Sequence, residues 1–437
     1  MRNTLLVTFI LLSSLKIRAQ QNSQARTYQF NLKECLEYAY ENQDSLKNAK
    51  LDIESARYKV KETRGIGLPQ ISGNAQFQDY LKIPVMSFGG QTVKFGTQFQ
   101  STAGVEASQL LFNGSYLVGL RASKTYKELS QRNYNRTKIS TTVAVTKAYY
   151  QVLVSNEQIR LLNANVTQLA QQLKETTEMN KQGFVEKIDL DRLSVIYNNL
   201  LTTRENTQRF LVLANQVLKF QIGMPVTDSL EVKDKIENVR LALNDVITVD
   251  TAAYKNRVEY GLLQTQRKLN DLNVARLRSE NLPSLVAFGS SSTLFMEDKF
   301  SRLYNQNFPS TLVGLKLNVP LFSGFQRKYQ IKQAQIEVKK NDNILNLAKN
   351  GFLLQQEQSR ITYQNSIKSL NNQKANMDLA KEVLRVSKIK YHEGVGSSIE
   401  VTQAQTELEQ AENNYIQALY DALVSKVDLD NAYGRIQ

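Results

Sequence analysis

The chain contains one unit of about 210 residues twice, and this duplication constrains its fold more than any other feature of the sequence. Four landmarks of the first half recur in the same order in the second half. The matching pairs are Pro69 with Pro283, the LFNG of residues 111–114 with the LFSG of residues 321–324, Gly183 with Gly394, and Gly223 with Gly434. Because copies of one unit fold alike, each element predicted for the first copy is expected again in the second.

Each copy is predicted to begin with a helix of about 30 residues and to continue as a β-hairpin. The helices cover residues 31–64 and 250–280, and a Leu-Pro pair ends each one because proline removes a backbone donor. Apolar residues then alternate with polar ones in two runs on either side of a loop at residues 88–90. The second copy alternates over residues 285–296, continues as a loop through residues 297–309, and alternates again to residue 321. Alternation over this length indicates strands.

Each hairpin is followed by a very long helix and by a second helix that runs back. Residues 114–182 contain no proline and almost no glycine, which predicts a helix of roughly 100 Å, and residues 325–393 repeat the pattern. Apolar residues step by three and four along the first long helix, as in a coiled coil. They are Ile159, Leu162, Val166, Leu169 and Leu173, and the return helix continues the stepping at Leu193, Ile196, Leu200, Thr203, Thr207, Phe210, Ala214 and Val217. Gly183 and Gly394 are therefore expected at the tips of two antiparallel helical hairpins.

These patterns divide the chain into eight segments. In the first copy we predict a signal peptide at 1–19, a leader and first helix at 20–66, a β-hairpin at 67–112 and a long helical hairpin at 113–222 with its tip near 183. An equatorial segment follows at 223–249. In the second copy we predict a helix at 250–281, a second β-hairpin at 282–322 and a second long helical hairpin at 323–437 with its tip near 394.

The first 19 residues have the pattern of a secretory signal peptide. A cation precedes an apolar run over residues 4–15, and Ala19 offers a small residue at the expected cleavage point. Export of the mature chain argues against ATP-driven chemistry and against nucleic-acid binding. The net charge is +14, but the basic residues are scattered along helices, as on solvated faces or on a surface that touches anionic lipid. The single cysteine, Cys35, is expected to be a small buried residue on a helix.

Four strands without a covering layer need partners. Their polar side carries mostly Gln, Ser, Asn and Thr, and no later run of 18 apolar residues predicts a transmembrane helix. In an exported chain this alternation is typical of a membrane β-barrel, whose backbone groups must all be paired in lipid. Two chains would give eight strands around a packed interior, and three would give twelve around a conducting lumen. The alternative is a soluble four-stranded sheet at the end of a coiled coil.

The only histidine, His392, stands in the sequence KYHEGVGSSIEVTQAQ of residues 390–405. A catalytic triad or a histidine metal site would have to use it, but HEGVG lacks the second histidine of H-E-x-x-H. GVGSS lacks both the lysine of a phosphate loop and the third glycine of a dinucleotide turn. We therefore expect no enzyme, no cofactor and no metal. A structural periplasmic coiled coil without a pore would account for the helices but not for the alternating strands. The signal peptide disfavours a nucleic-acid-binding coiled coil.

Over essentially the whole mature chain the sequence resembles the TolC-like outer-membrane efflux proteins, from NLKECLEYAY at residue 31 to LDNAYG at residue 429. Three motifs carry the resemblance. The first is the Leu-Pro helix-to-strand junction at Pro69 and Pro283. The second is the LF-x-G strand-to-helix junction at Gly114 and Gly324, with Pro320 before the second copy. The third is the hairpin tip, in which a glycine precedes an acidic residue by six positions.

The resemblance implies an α+β membrane protein with two internal repeats, each a β-hairpin plus long antiparallel coiled-coil helices. It implies a homotrimer with a 12-stranded β-barrel in the outer membrane, in contact with its lipid, and an α-helical barrel that continues into the periplasm. Such a channel passively exports small molecules or proteins, which an inner-membrane pump delivers through a periplasmic adaptor, or membrane fusion protein. Residues 223–249 resemble the family's equatorial region.

The resemblance also implies a pore aperture at Asp189, Glu400 and Gln403, where the tunnel narrows. Gln403 is uncharged, so a double acidic ring is reduced to one ring of Glu400, which favours weak cation selectivity. Gly396 stands where some members have a gate-locking arginine, which predicts a looser gate. The same carboxylates also have a simpler interpretation as acids that favour the dipole at a helix N-terminus.

The hairpin tips are implied to dock the adaptor. The implied docking residues are Gly183, Phe184, Val185, Gly394, Val395, Gly396 and Ser397. Ser397 or Ser398 is expected to cap the helix that follows the second tip.

Overall fold

The computed structural model describes residues 27–236 and 252–436. The predicted signal peptide and residues 237–249 of the predicted equatorial segment lie outside the described residues. The strands and helices are β1 (Thr27–Phe30), α1 (Leu32–Asn42), α2 (Asp44–Gly65), β2 (Gln70–Asp79), β3 (Val85–Phe88), β4 (Gln91–Lys94), β5 (Phe99–Phe112), α3 (Gly114–Lys181), α4 (Lys187–Ile222), β6 (Ser229–Val232), α5 (Val258–Ser279), β7 (Ser284–Glu297), β8 (Asn307–Asn318), α6 (Gln326–His392) and α7 (Ser398–Ala432). Helix and strand are mixed, as predicted.

Two very long helices dominate the secondary structure. α3 has 68 residues and α6 has 67, which confirms the helices predicted over residues 114–182 and 325–393. Each has about nineteen turns. α4 and α7 follow the two tips with 36 and 35 residues, so the duplicated sequence has formed the same pair of helices twice.

The first helix of each copy differs from the prediction. In the first copy the helix is interrupted at Gln43, whose backbone is extended (φ −69°, ψ 123°). Its side-chain oxygen accepts a hydrogen bond from the backbone N–H of Leu46 at 3.3 Å, which caps the next helix. In the second copy α5 begins at Val258, after a 3₁₀ turn over Ala253–Asn256.

Four strands form one antiparallel sheet in the order β2-β5-β7-β8. The pairing of β5 with β7 joins the hairpins of the two copies, which lie far apart in the sequence. β2 and β8 are the edges of this sheet. The loop between β7 and β8 is shorter than predicted, because β8 already begins at Asn307 and includes Pro309.

Two smaller sheets were not predicted. β3 and β4 form an antiparallel ribbon that turns at Gly89 and Gly90, whose positive φ angles of 56° and 85° suit a tight turn of this kind. β1 pairs in parallel with β6, which attaches the start of the described chain to the segment after α4. Runs of four residues with mixed composition carry too little periodicity to be recognised as strands.

The chain forms two compact units, and each draws on both copies. The helical unit contains Met1–Lys47, Thr137–Ala253 and Leu354–Gln437, as far as these are described. The sheet unit contains Asn48–Arg136 and Tyr254–Leu353.

The core of the helical unit encloses Cys35, which is fully buried on α1, as predicted. It packs with apolar residues of α3, α4 and β6 around the buried ring of Tyr149. The Tyr149 hydroxyl donates a hydrogen bond of 2.7 Å to Asp234, which also accepts from the backbone N–H of Leu32 at 3.2 Å. Asp234 therefore satisfies both the Tyr149 hydroxyl and the backbone N–H of Leu32 at the edge of an apolar core.

The predicted coiled-coil seam forms between α3 and α4. Its buried members are Leu162, Val166, Leu169, Leu193 and Leu200, with Leu173 and Ile196 partly buried. Further along α4, Thr207 and Ala214 are buried, but Thr203, Phe210 and Val217 are exposed, so the prediction is wrong for those three. Along α4 one residue in seven is buried, at Leu193, Leu200, Thr207 and Ala214. The predicted seam residues between them, from Thr203 onward, lie on the surface. No helix in the described ranges combines the length and hydropathy needed to cross a bilayer.

Candidate functional site

Proline stands where helix changes to strand, and glycine stands where strand changes to helix, as the motifs predict. Pro69 lies between α2 and β2, and Pro283 lies between α5 and β7. Gly114 is the first residue of α3, where a Cβ atom would lie 2.9 Å from Cδ1 of Leu282 and 3.0 Å from the carbonyl oxygen of Ser279. Only glycine allows α3 and the end of α5 to approach this closely.

The second strand-to-helix junction uses a different geometry. Pro320 follows β8, and Gly324 has a φ of 57°, which glycine adopts without strain. Phe325 then has a φ of 63°, although it is not a glycine. Its ring meets that of Phe322 edge to face at 5.4 Å, and both rings are exposed.

One face of the four-stranded sheet is apolar and exposed. The pairing register puts these exposed side chains on it: Ile71, Phe77, Val105, Val313, Leu315 and Leu317. At the loop end, Phe300 packs edge to face against Phe77 and Phe99 at 5.9 and 5.6 Å, and Tyr304 packs against Phe295 at 5.1 Å. An apolar band bordered by aromatic rings is typical of a surface that faces lipid.

The opposite face is polar in the first copy only. β2 contributes Gln70, Ser72, Asn74, Gln76 and Gln78, as predicted. The second copy puts Val286, Phe288, Leu294, Met296 and Leu312 on this same face, so the predicted polar composition does not extend to β7 and β8. Phe288 packs over Gly314, where a Cβ atom would lie 2.9 Å from the ring. A glycine opposite an aromatic side chain makes room for the ring across the strand pair.

The first hairpin tip turns at Gly183, with a φ of 80°. The N–H groups of Gly183 and Phe184 donate to the carbonyls of Asn180 and Met179 at 3.0 and 2.9 Å, which closes the end of α3. The Asn180 side chain then donates to the carbonyl of Val185 at 2.7 Å. Phe184 projects from this turn with 74% of its surface exposed.

The second tip turns at Gly394 in a similar way. Gly394 has a φ of 75°, and the N–H groups of Val395 and Gly396 both donate to the carbonyl of Lys390 at 3.0 Å. A Cβ atom at Gly396 would lie 2.8 Å from the Cβ of Lys390. Ser397 caps α7 by accepting a hydrogen bond from the N–H of Glu400 at 3.2 Å. Val395 is 79% exposed, so each tip presents one apolar side chain.

The candidate aperture residues lie in the first two turns after the tips. Asp189 forms an ion pair with Arg192 at 3.2 Å, one turn along α4. Glu400 is exposed in the first turn of α7, and within the described ranges it has no ion-pair partner. Gln403 donates to Glu407 at 3.0 Å. Both acids stand where the helix dipole favours a carboxylate, so the simpler interpretation also fits the geometry.

One residue before the second tip is affected by a residue that follows the first tip. Burial raises the pKa of the Tyr391 phenol, and the negative charge of Asp189 raises it further. Tyr391 belongs to the second copy and Asp189 to the first, so these two residues lie close enough for the charge of one to affect the other. The sequence could not show this proximity, because it depends on how the two hairpins pack.

Sequence reasoning missed a polar ladder on α7. Side chains on one exposed face bond to each other in pairs four residues apart, and the pairs recur every seven residues. The pairs are Gln403 with Glu407, Gln410 with Asn414, and Gln417 with Asp421, all at 3.0 Å. Glu400 lies on the same face, since seven residues make almost two full turns. A seven-residue spacing of exposed polar residues was the signal that could have revealed the ladder.

Among the described residues, no cluster of His, Cys, Asp or Glu is arranged to hold a metal ion. The arrangement instead combines a sheet with an exposed apolar face, two long helical hairpins and a line of mutually bonded polar side chains.

Comparison with known proteins gives a consistent result. The sequence profile of the family described as "Outer membrane efflux protein" matches residues 35–193 and 263–435. The chain is 22% identical over 413 residues to "Outer membrane protein TolC" of Salmonella enteritidis, which covers 93% of this chain and 82% of that one.

Solved structures share the fold. Crystal structures of CusC superpose with a TM-score of 0.75 at 15% identity, covering 96% of this chain and 95% of that one. The open state of the MtrE outer membrane channel of Neisseria gonorrhoeae gives a TM-score of 0.75 at 17% identity, with coverages of 92% and 89%.

Proposed function

The chain belongs to the outer membrane efflux protein family, and we propose that three copies of it form one closed channel through which small molecules or secreted proteins leave the periplasm. It is an outer-membrane channel subunit of a multipart efflux system and extends into the periplasm. A periplasmic coiled coil without a pore would leave the apolar face of the sheet unexplained.

The observation that carries the proposed trimer is the pair of open sheet edges. Within the described sheet, β2 pairs only with β5 and β8 pairs only with β7. Each edge strand therefore has a row of backbone groups without partners in the chain, which lipid cannot satisfy. Pairing β8 of one copy with β2 of the next closes the ring. Three copies give twelve strands and a lumen wide enough to conduct, whereas two give a filled interior.

We place the polar ladder of α7 on the lumen of the periplasmic part. The ladder is exposed and charged or polar throughout, while the opposite face of α7 is buried against α6 through Val401, Ala404 and Leu408. Glu400 begins this face at the tip, so three copies would bring three carboxylates to one narrow opening. Asp189 and Gln403 complete the proposed aperture.

The exposed tips support docking of a periplasmic adaptor, which would connect the channel to an inner-membrane pump. Phe184 and Val395 are apolar side chains that remain in solvent at the ends of two stiff helical hairpins. Exposed apolar groups at such positions are typical of interaction sites. The proposed docking surface contains these two residues together with Gly183, Val185, Gly394, Gly396 and Ser397.

Light scattering of the mature chain in a neutral detergent tests the proposed trimer. With the detergent contribution subtracted, we expect three times the mass of one chain. A monomer, or a protein that stays fully soluble without detergent, would refute it. Trimers added to a planar bilayer should produce single-channel steps.

A further inference from the structure

An open groove lies on the sheet unit where its helices meet the strands. Its volume is about 920 Å³, and α5 and the first turns of α6 form its walls. The charged lining is Arg278, Lys332 and Lys339, with Asp271 at one side. The apolar lining includes Val274, Leu282 and Ile336. The groove therefore combines positive charge with apolar surface in one concavity.

The three groove cations have no carboxylate partner among the described residues, while their neighbours do. Arg276 pairs with Glu280 at 2.6 Å and Lys340 pairs with Glu337 at 2.8 Å. The one acid of the groove, Asp271, is already bound to Arg267 at 2.9 Å. All three groove cations are exposed, so their positive charge is available to a ligand.

The position of the groove points to the membrane surface. Leu282 separates the end of α5 from β7 and is half exposed, so the groove reaches the end of the sheet. Lys332 lies six residues into α6, which is about 9 Å from the start of that helix. A phospholipid phosphate lies in the headgroup layer, which extends roughly 5–8 Å outside the hydrocarbon core, and a lysine side chain can reach back toward it from this position.

We propose that this groove binds a glycerophospholipid with an anionic headgroup from the periplasmic leaflet of the outer membrane. This rests on the proposed function, which puts the strands in the membrane and the helices in the periplasm. The phosphate lies between Arg278 and Lys332 at the sheet end of the groove, Lys339 adds longer-range attraction from further along α6, and the apolar wall contacts the glycerol backbone and the first methylene groups. Clustered basic residues at a membrane surface attract acidic lipids in this way.

Other occupants fit the groove less well. A zwitterionic phospholipid presents the same phosphate but carries a cationic group beside it, which the three groove cations repel, and a small soluble anion gains nothing from the apolar wall. A helix from a second copy would need carboxylates opposite the cations to avoid burying unpaired charge.

Native mass spectrometry of the delipidated full-length mature trimer in neutral detergent tests the proposal. The ligands are dioleoyl phosphatidylglycerol, dioleoyl phosphatidylcholine and inorganic phosphate, titrated separately. We expect phosphatidylglycerol to bind at least about tenfold more tightly than phosphatidylcholine, and phosphate not to compete.

Two triple variants that remove the same number of charges distinguish binding in the groove from general electrostatic attraction of the lipid. R278Q/K332Q/K339Q should lose the preference for phosphatidylglycerol by about tenfold. K124Q/K127Q/K255Q removes three exposed cations outside the groove and should keep the preference.

Three results of the lipid titrations would overturn the proposal. These are equal affinity for the two lipids, equal loss in both triple variants, and competition by inorganic phosphate. If the groove variant is monomeric, the groove is an interface between copies and the proposal is wrong. Single-channel conductance of the same samples tests the channel separately, since lipid binding can fail while conductance is retained.

Discussion

Asn165 on α3 donates a hydrogen bond of 2.5 Å to the carboxylate of Glu412 on α7, and both side chains are buried. The contact joins the first copy to the second inside the helical unit. Burial raises the pKa of Glu412 above the ordinary value of 4.5, although the hydrogen bond from Asn165 and the charges of Lys381 and Arg160 lower it. Nearby Glu409 has its pKa raised as well, first by burial and then by Glu412.

The first prediction is that Glu412→Gln stabilises the protein at pH 7.5. An acid whose pKa is raised by folding favours the unfolded chain once the pH exceeds the unfolded pKa, and the cost is complete above the folded pKa. Glutamine keeps an acceptor for Asn165 without the charge. We expect the thermal midpoint to rise by roughly a few degrees at pH 7.5 and the difference to shrink near pH 5. The matched control is Glu407→Gln on the exposed ladder, and an equal rise in both variants would contradict the mechanism.

The second prediction concerns Glu400. Glu400→Lys should weaken or reverse the cation preference of single channels in planar bilayers, because it replaces three carboxylates at the proposed opening with three cations. Glu393→Lys, which makes the same charge change within the tip, is the control and should have a smaller effect. Unchanged conductance and selectivity in Glu400→Lys would remove this residue from the aperture.

The third prediction concerns the glycine at the position of the gate-locking arginine. Gly396→Arg should disorder the second tip at a cost of about 1–3 kcal/mol, because the new Cβ would lie 2.8 Å from that of Lys390. Hydrogen exchange of residues 390–400 should accelerate. Val185→Arg changes the matching position of the first tip and should perturb exchange less. Slower exchange in Gly396→Arg would mean that the arginine forms a lock after all.

The fourth prediction compares two glycines. Gly223 ends α4 with a φ of 73°, and a Cβ there would lie 2.7 Å from the Asn42 carbonyl oxygen. Gly223→Ala should destabilise the helical unit by about 1–3 kcal/mol. Gly351 lies inside α6 with nothing within 4 Å of an added Cβ, so Gly351→Ala should stabilise the chain by about 0.5–1 kcal/mol. Melting followed by circular dichroism at 222 nm should therefore shift in opposite directions.

The fifth prediction is that Cys35 resists alkylation in the native protein. Burial, together with the charges of Glu34 and Asp234, raises its pKa to about 12, so little thiolate forms at pH 8. N-ethylmaleimide should label it only after denaturation. A cysteine introduced at exposed Asn48, in a chain that retains Cys35, should react within minutes. Equal labelling of the two cysteines in the native state would show that the core around α1 opens readily.

The sequence predicted the parts of the fold that depend on long periodic patterns. The 68-residue length of α3 follows from the absence of proline within it. The helix-to-strand junctions follow from the prolines of the two Leu-Pro pairs. The interruption at Gln43 was missed because no proline or glycine marks it. Its cause is a side chain that caps the following helix, which is a local hydrogen bond rather than a periodic signal.

The candidate site was predictable in position but not in arrangement. The tips at Gly183 and Gly394 follow from glycine between two long helical patterns. That Tyr391 lies near Asp189 follows only from packing of the two copies. Similarly, Gly314 leaves space for the ring of Phe288 across the strand pair, a cross-strand relationship that single-strand alternation cannot reveal.

The ladder on α7 has a kinetic consequence for transport. Each glutamine of the ladder already donates to an acceptor one turn away, so part of the hydrogen-bonding capacity of this surface is used before any solute arrives. A passing molecule therefore meets a surface whose donors and acceptors are partly paired with each other, and its residence time at each step should be short. In the proposed lumen, such a surface favours rapid movement of chemically different solutes over tight binding of any single one.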